Sequence, residues 1–220
     1  MTQFAAVFDM DGLLVDTEPI WHESEHEVFQ QLNLPITPEM CQQTAGLRID
    51  QVAAHWYEKY PWERRTIHQV ADDIVDKVIE KVRDRGTLMP GVAHAVNAVK
   101  QLGWKIGLAS SSPMRLINVI VNHFGMTTFF EVLHSGEVET LGKPHPATYL
   151  SAAKRLGVPP TKCLALEDSF YGLIAATAAR MKTVVVPTAK HYDAPKWAIA
   201  TTKLPSLEHC NTDLLRRIMS

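Results

Sequence analysis

The stretch Phe4-Ala5-Ala6-Val7-Phe8-Asp9-Met10-Asp11-Gly12-Leu13-Leu14-Val15 sets two carboxylates between apolar runs. An apolar run that stops abruptly at an acid reads as a buried strand whose carboxyl end carries the polar side chains. Ionised carboxylates in that position are costly unless a cation or a proton offsets them, so Asp9 and Asp11 mark a candidate site. Gly12 removes a side chain where the chain must turn away.

Downstream, four more runs of small, apolar and β-branched residues read as buried parallel strands: Lys105 to Ala109, Glu131 to His134, Cys163 to Leu166 and Thr183 to Val186. Pro113 to Phe124, Pro146 to Leu156 and Phe170 to Arg180 space their apolar residues for one helix face, and Gly125 and Gly157 follow two of them as stops. Alternating strand and helix predicts an α/β fold, a doubly wound, Rossmann-like parallel sheet. Thr188 to Pro205 reads as a polar surface connection before a short final helix.

Between Asp16 and Gly86 the rhythm changes to helix after helix. Trp21 to Leu32, Pro38 to Thr44, Ile49 to Tyr60 and Thr66 to Arg85 carry helical spacing, punctuated by Pro35, Gly46 and Pro61. The expectation is a core of residues 1–15 and 88–220 with a small helical cap, residues 16–87, inserted after the first strand. Hinges fall near Val15-Asp16 and Leu88-Gly91. There is no internal repeat or low-complexity segment.

The chain has 220 residues, 46% of them hydrophobic, enough to fill such a core. A formal net charge of −2 with no run of Lys or Arg argues against nucleic acid or an anionic membrane as partner. No segment approaches the roughly 20 apolar residues of a membrane span. Met1-Thr2-Gln3 lacks the basic start of a signal peptide, and the distant cysteines Cys41, Cys163 and Cys210 suit reduced thiols, so the expected setting is cytoplasmic, as a monomer.

In a doubly wound sheet, ligands sit beyond the carboxyl ends of the strands. Those ends carry Asp9-Met10-Asp11, Ser110-Ser111-Ser112 and Glu167-Asp168-Ser169, and Lys143 lies in Gly142-Lys143-Pro144-His145-Pro146 on the approach to a helix. Converging carboxylates without His or Cys favour a hard divalent ion, of which magnesium fits best, while a lysine and a serine run make a cradle for a phosphoryl group. One acid can attack phosphorus and the other move protons; alternate residues leaving a strand share a side. His22 and His26, four apart, match no zinc pattern.

Phe8-Asp9-Met10-Asp11-Gly12, Ala109-Ser110, Lys143-Pro144 and Leu166-Glu167-Asp168 resemble, in order, the four signature motifs of the haloacid dehalogenase-like phosphohydrolase superfamily. The helical insertion resembles that superfamily's small α-helical cap. Longer phrases, Phe8 to Trp21, Gly46-Leu47-Arg48-Ile49-Asp50, Trp56-Tyr57 with Pro61-Trp62, Leu88 to Val92 and Gly107 to Pro113, are similar to a bacterial subgroup acting on 2-deoxyglucose 6-phosphate and hexitol phosphates.

The resemblance implies a Mg2+-dependent sugar phosphatase working through an aspartyl-phosphate, on hexose 6-phosphate, 2-deoxyglucose 6-phosphate or hexitol phosphates. Asp9 would be nucleophile and metal ligand, Asp11 the general acid/base and a ligand through its backbone carbonyl. Ser110, Ser111 and Lys143 would hold phosphoryl oxygens, Asp168 would complete the metal shell, and Glu167 would bind through water. Glu18, Trp21, Arg48 and Trp56 are candidates to face a sugar or polyol, against a core role for the tryptophans; Arg48, in a break between helices, suits a role at the domain interface, against a surface ion pair. Two other functions compete: a β-phosphoglucomutase-type mutase, and a phosphosugar-binding regulator without turnover.

Overall fold

The computed structural model describes residues 3–44 and 46–220. Its centre is β1 (Ala5–Phe8), whose four side chains are all buried, as they must be in a strand covered on both faces. Parallel neighbours flank it: β2 (Lys105–Ser110) on one side and β4 (Cys163–Glu167) on the other. With β3 (Val132–Ser135), β5 (Lys182–Val185) and β6 (Thr202–Lys203) they form one parallel sheet in the order β3-β2-β1-β4-β5-β6. The order reverses at β1 and β4, which is where such sheets open a crevice.

Side chains along each strand alternate between the two faces. Ala5, Val7, Ala109 and Ala165 point to a face covered by α7 (Ala147–Leu156) and α8 (Phe170–Ala178), through Tyr149, Ala152, Ala153 and Ala176. Small side chains let these helices close on the sheet; at Gly107 a Cβ would stand only 2.9 Å from Leu156 Cδ1. Ala6, Phe8, Leu108 and Leu164 face the other way, against α5 (Val92–Gln101), α6 (Met114–His123) and α9 (Thr212–Met219).

Between β1 and α5 run α1 (Glu18–Gln31), α2 (Pro38–Cys41), α3 (Ile49–Lys59) and α4 (Ile67–Arg85). They share an interior of Val28, Phe29, Ile36, Val70, Ile74 and Val78 with Trp56, which is completely buried, 6.4 Å from Phe29 and stacked on Tyr60 at 6.3 Å. Of the two readings open for Trp56, the core one is correct. The two strands of chain that join this helical segment to the sheet lie side by side: Asp16 N donates to Thr87 O and Met89 N to Leu14 O, both at 2.9 Å.

Two expectations need correction. The segment read as Pro38 to Thr44 is a single turn of α2 followed by a 3-10 turn, Gln42–Thr44. Thr188 to Pro205 is not wholly irregular, because β6 pairs with β5 and Trp197 is buried. β6 is only two residues long and is held by reciprocal bonds of Thr183 and Thr201, from each backbone N–H to the other's hydroxyl at 3.1 and 3.0 Å, so it carries no legible alternation. No helix among the described residues is long and apolar enough to cross a membrane. The three cysteines are buried and free, and burial pushes the thiols of Cys163 and Cys210 up to about 12.

Candidate active site

Three strand ends and one loop meet at the reversal point. Register sets Phe8 beside Leu166, and the Asp9 N–H still donates to the Leu166 carbonyl at 2.9 Å, so Asp9 emerges next to Glu167. Gly12 follows with φ +77°, and a Cβ there would overlap the Asp168 carboxylate. Gly172, in the first turn of α8, likewise leaves the room that the Glu167 carboxylate fills.

Lys143 comes from the loop before α7 and is 3% exposed. Its Nζ donates to Asp9 Oδ1 and Glu167 Oε1, each at 2.6 Å, and to the Ala109 carbonyl at 3.2 Å. The Tyr149 hydroxyl donates to the same Glu167 oxygen at 2.6 Å, and the Tyr149 ring lies 4.7 Å from the ammonium. Glu167 Oε2 accepts from Ser169 Oγ and from the backbone N–H groups of Asp168 and Ser169, so both its oxygens are occupied. Burial works against a charged Lys143, but Asp9 and Glu167 outweigh it and hold the ammonium protonated well above its usual range.

Burial drives the Asp9 carboxyl upward against the pull of Lys143, and Glu167 and Asp11 add to the rise. Asp168 is raised well above the carboxylate range by burial, then by Glu167 and Asp9. Asp9, Glu167 and Asp168 each bring a carboxylate oxygen within 4.8 Å of the others, and Asp168 Oδ1 is buried with no hydrogen-bond partner. An all-oxygen donor set, an excess of acid over one lysine and an orphaned buried carboxylate oxygen fit a hard divalent cation, which would return these acids to the ionised form.

Asp11 has a different environment. Thr17 Oγ1 and Trp21 Nε1 donate to its Oδ1 at 2.8 and 3.0 Å; Ser110 Oγ and Ser112 Oγ donate to its Oδ2 at 3.1 and 2.8 Å. Asp9 and Asp11 therefore do not share one set of partners, as strand alternation would suggest, because β1 ends at Phe8 and the chain is already turning toward Gly12.

The other candidates are spread around this centre. Ser111 lines a cleft of about 350 Å³ whose walls include Arg48, Asp50, His68, Asp72, Arg115 and Glu137; Asp9 is not part of its lining. Trp21 lies on Asp11, and Glu18 is exposed at the start of α1. Arg48 is both an ion pair and an interface residue: it is paired with Asp50 and bonded to carbonyls of the loop before Lys143. His26 donates from Nδ1 to the Ile36 carbonyl at 2.8 Å, a structural bond. Thr17, Ser112 and Tyr149 were not singled out in the sequence. Ser112 belonged to the serine run already noted, whereas Tyr149 sits at helical spacing in an apolar face and looks like core.

The model for haloacid dehalogenase-like hydrolases matches residues 5–180. Hexitol phosphatase B of Escherichia coli strain K12 is 41% identical over 204 residues, covering 92% of both chains. The chain belongs to the haloacid dehalogenase-like hydrolases. It is an enzyme, a phosphatase of that family. A phosphorylated carbohydrates phosphatase of Thermotoga maritima is 28% identical over 186 residues, 82% of this chain and 83% of the other. The fold is shared with the crystal structure of β-phosphoglucomutase from Clostridium difficile, with a TM-score of 0.85 over 99% of this chain and 97% of that one at 22% identity.

Proposed function

We propose that this phosphatase hydrolyses monophosphates of small sugars or polyols, such as hexose 6-phosphate, 2-deoxyglucose 6-phosphate or hexitol phosphates, through an aspartyl-phosphate on Asp9. The observation that carries the reading is the division between the two acids. Asp9 sits beside Lys143 and the acidic cluster with its Oδ2 outside the lysine bond, while Asp11 is fixed by four donors at the serine run. Asp9 can present an oxygen to phosphorus, and Asp11 can carry a proton when one of its three hydroxyl partners turns from donating to accepting.

Asp9 attacks phosphorus, the P–O bond to the sugar breaks, and Asp11 gives its proton to the leaving alkoxide. Asp11, now a carboxylate, takes a proton from water as that water attacks the aspartyl-phosphate; the bond to Asp9 breaks and orthophosphate leaves. Lys143 and the serine hydroxyls stabilise charge on the phosphoryl oxygens. Asp9 and Asp168 with the Asp11 carbonyl would hold Mg2+, and the ion would neutralise the phosphoryl charge and keep the carboxylates ionised. Glu167, expected to reach the ion through water, has both oxygens taken by protein donors and acts instead by holding Lys143. The residue 16–87 segment acts as a cap over the residue 1–15 and 88–220 core, opening for substrate and excluding water when closed.

At the cleft by Ser111, Arg48 is paired with Asp50, and Arg115 with Asp72 and Asp76. Mixed acids, bases and hydroxyls suit a polyol. The names of the Escherichia coli and Thermotoga maritima relatives support the same substrate class. A mutase shares the core chemistry, and the experiment that separates them is incubation of β-glucose 1-phosphate with trace glucose 1,6-bisphosphate and magnesium. Free orthophosphate supports the phosphatase; glucose 6-phosphate without orthophosphate supports the mutase. A panel of hexose and hexitol phosphates with and without magnesium then ranks substrates, and binding without release across it would favour a regulator.

A further inference from the structure

Arg48 precedes the first turn of α3, yet its side chain reaches away from the helical segment. Its guanidinium is held by Asp50 through two bonds, Nε to Oδ1 at 2.9 Å and Nη2 to Oδ2 at 2.5 Å. The remaining nitrogen, Nη1, donates to two backbone carbonyls of the loop between β3 and α7: Gly136 O at 3.0 Å and Glu139 O at 2.5 Å. The same loop presses on the arginine's stem at its far end, where a Cβ on Gly142 would stand 2.9 Å from Arg48 Cδ and 3.0 Å from Cγ. Both ends of the loop adjoin the chemistry. Gly136 lies against the Ser110 carbonyl and the Ser111 Cα, and Gly142 immediately precedes Lys143. Apolar burial does little to fix the span between, since Val138 is 73% and Leu141 51% exposed.

We propose that Arg48 is a positioning residue: by clamping residues 136–142 it holds Lys143 on Asp9 and Glu167. The guanidinium is committed to Asp50 and to two carbonyls, and Arg48 faces the Ser111 cleft only as part of its wall. A lysine cannot replace it, because a single ammonium lacks the planar set of donors that reaches Asp50 and both carbonyls together. Displacing a reacting group by about 1 Å costs on the order of 100-fold in rate, and that is the scale expected here.

The inference uses the phosphatase reading only for its rate readout. Arg48→Ala should lower kcat about 100-fold with KM nearly unchanged and the thermal midpoint close to wild type, and Arg48→Lys should be almost as slow as the alanine variant. Gly142→Ala supplies an independent arm. Gly142 does not use positive φ, so alanine there strains no backbone and acts through the arginine's stem. It should slow the wild type about tenfold, on the same positioning argument, and cost much less in the Arg48→Ala background, where only the Gln51 Oε1 contact at 3.1 Å remains. Amide hydrogen exchange of residues 136–143 should rise in Arg48→Ala, with other segments unchanged, whether or not substrate is turned over. A KM effect at constant kcat, recovery by lysine, additive losses in the double variant, or unchanged exchange in the loop would overturn the inference. Wild-type protein that releases phosphate from no sugar phosphate would sink the phosphatase reading instead, and the exchange result would still decide the role of Arg48.

Discussion

Lys143 sits between two carboxylates at 2.6 Å with almost no exposure to water, so its removal leaves Asp9 and Glu167 facing each other uncompensated. Breaking a buried pair of this kind costs about 3–5 kcal/mol. Lys143→Met should therefore unfold at clearly lower urea than wild type when both are measured in EDTA, and should lose most of its turnover; equal midpoints would contradict the ion-pair account. Trp21 exerts a subtler effect. Its indole N–H donates to Asp11 Oδ1 at 3.0 Å, and a hydrogen bond to a charged group is worth about 1.5–3 kcal/mol, so Trp21→Phe should lower kcat roughly tenfold or more with a smaller change in KM. A change confined to KM would return Trp21 to the role of a wall for the sugar. Asp9, Ser110, Lys143 and Asp168 were legible in the sequence because each ends a strand or stands in a short phrase. Tyr149 was not, because its one polar atom is invisible behind an apolar helical pattern.

Among the elements, α1 carries Glu25 on its buried face, where burial raises the carboxyl to about 8, a Cys41 hydrogen bond pulling weakly the other way. Below the ordinary value near 4.5 both folded and unfolded chains hold this proton; as pH rises toward 8 the unfolded chain releases it first, so stability is lost progressively through that window. Glu25→Gln should match wild type in thermal midpoint near pH 4, exceed it increasingly up to pH 8, and keep a constant lead above that. A gap independent of pH would contradict the assignment. For α4, Thr66 and Gln69 form a capping box, with Gln69 N on Thr66 Oγ1 at 3.2 Å and Thr66 N on Gln69 Oε1 at 2.8 Å. Thr66→Ala should cost about 1 kcal/mol, a fall of roughly 2–4 °C in Tm, and leave kcat alone. The long helices were readable because their apolar residues recur with the helical period. β6 was not, since two residues have no period and its bonds come from threonines distant in the chain.

Across the whole molecule, the alternation of strand and helix after residue 88 and the run of helices between β1 and α5 were readable from the chain, whereas the strand order β3-β2-β1-β4-β5-β6 was not. The alternation was visible residue by residue. The arrangement of the site was not, because Asp9 and Asp11 acquire different partners only once β2, β4 and the loop before α7 are assembled around them, and nothing local records that Arg48 reaches residues 136–142. The central claim is that Asp9 is the attacking group. It is tested most directly by mixing enzyme, magnesium and a hexitol phosphate, quenching in acid within the first turnovers, and locating the modified peptide by mass spectrometry in wild type, Asp11→Asn and Asp9→Asn. One hydroxylamine-sensitive phosphoryl group should appear on Asp9, accumulate in Asp11→Asn, and vanish with turnover in a folded Asp9→Asn protein. Phosphorylation at another residue, or wild-type-like turnover in Asp9→Asn, would contradict it.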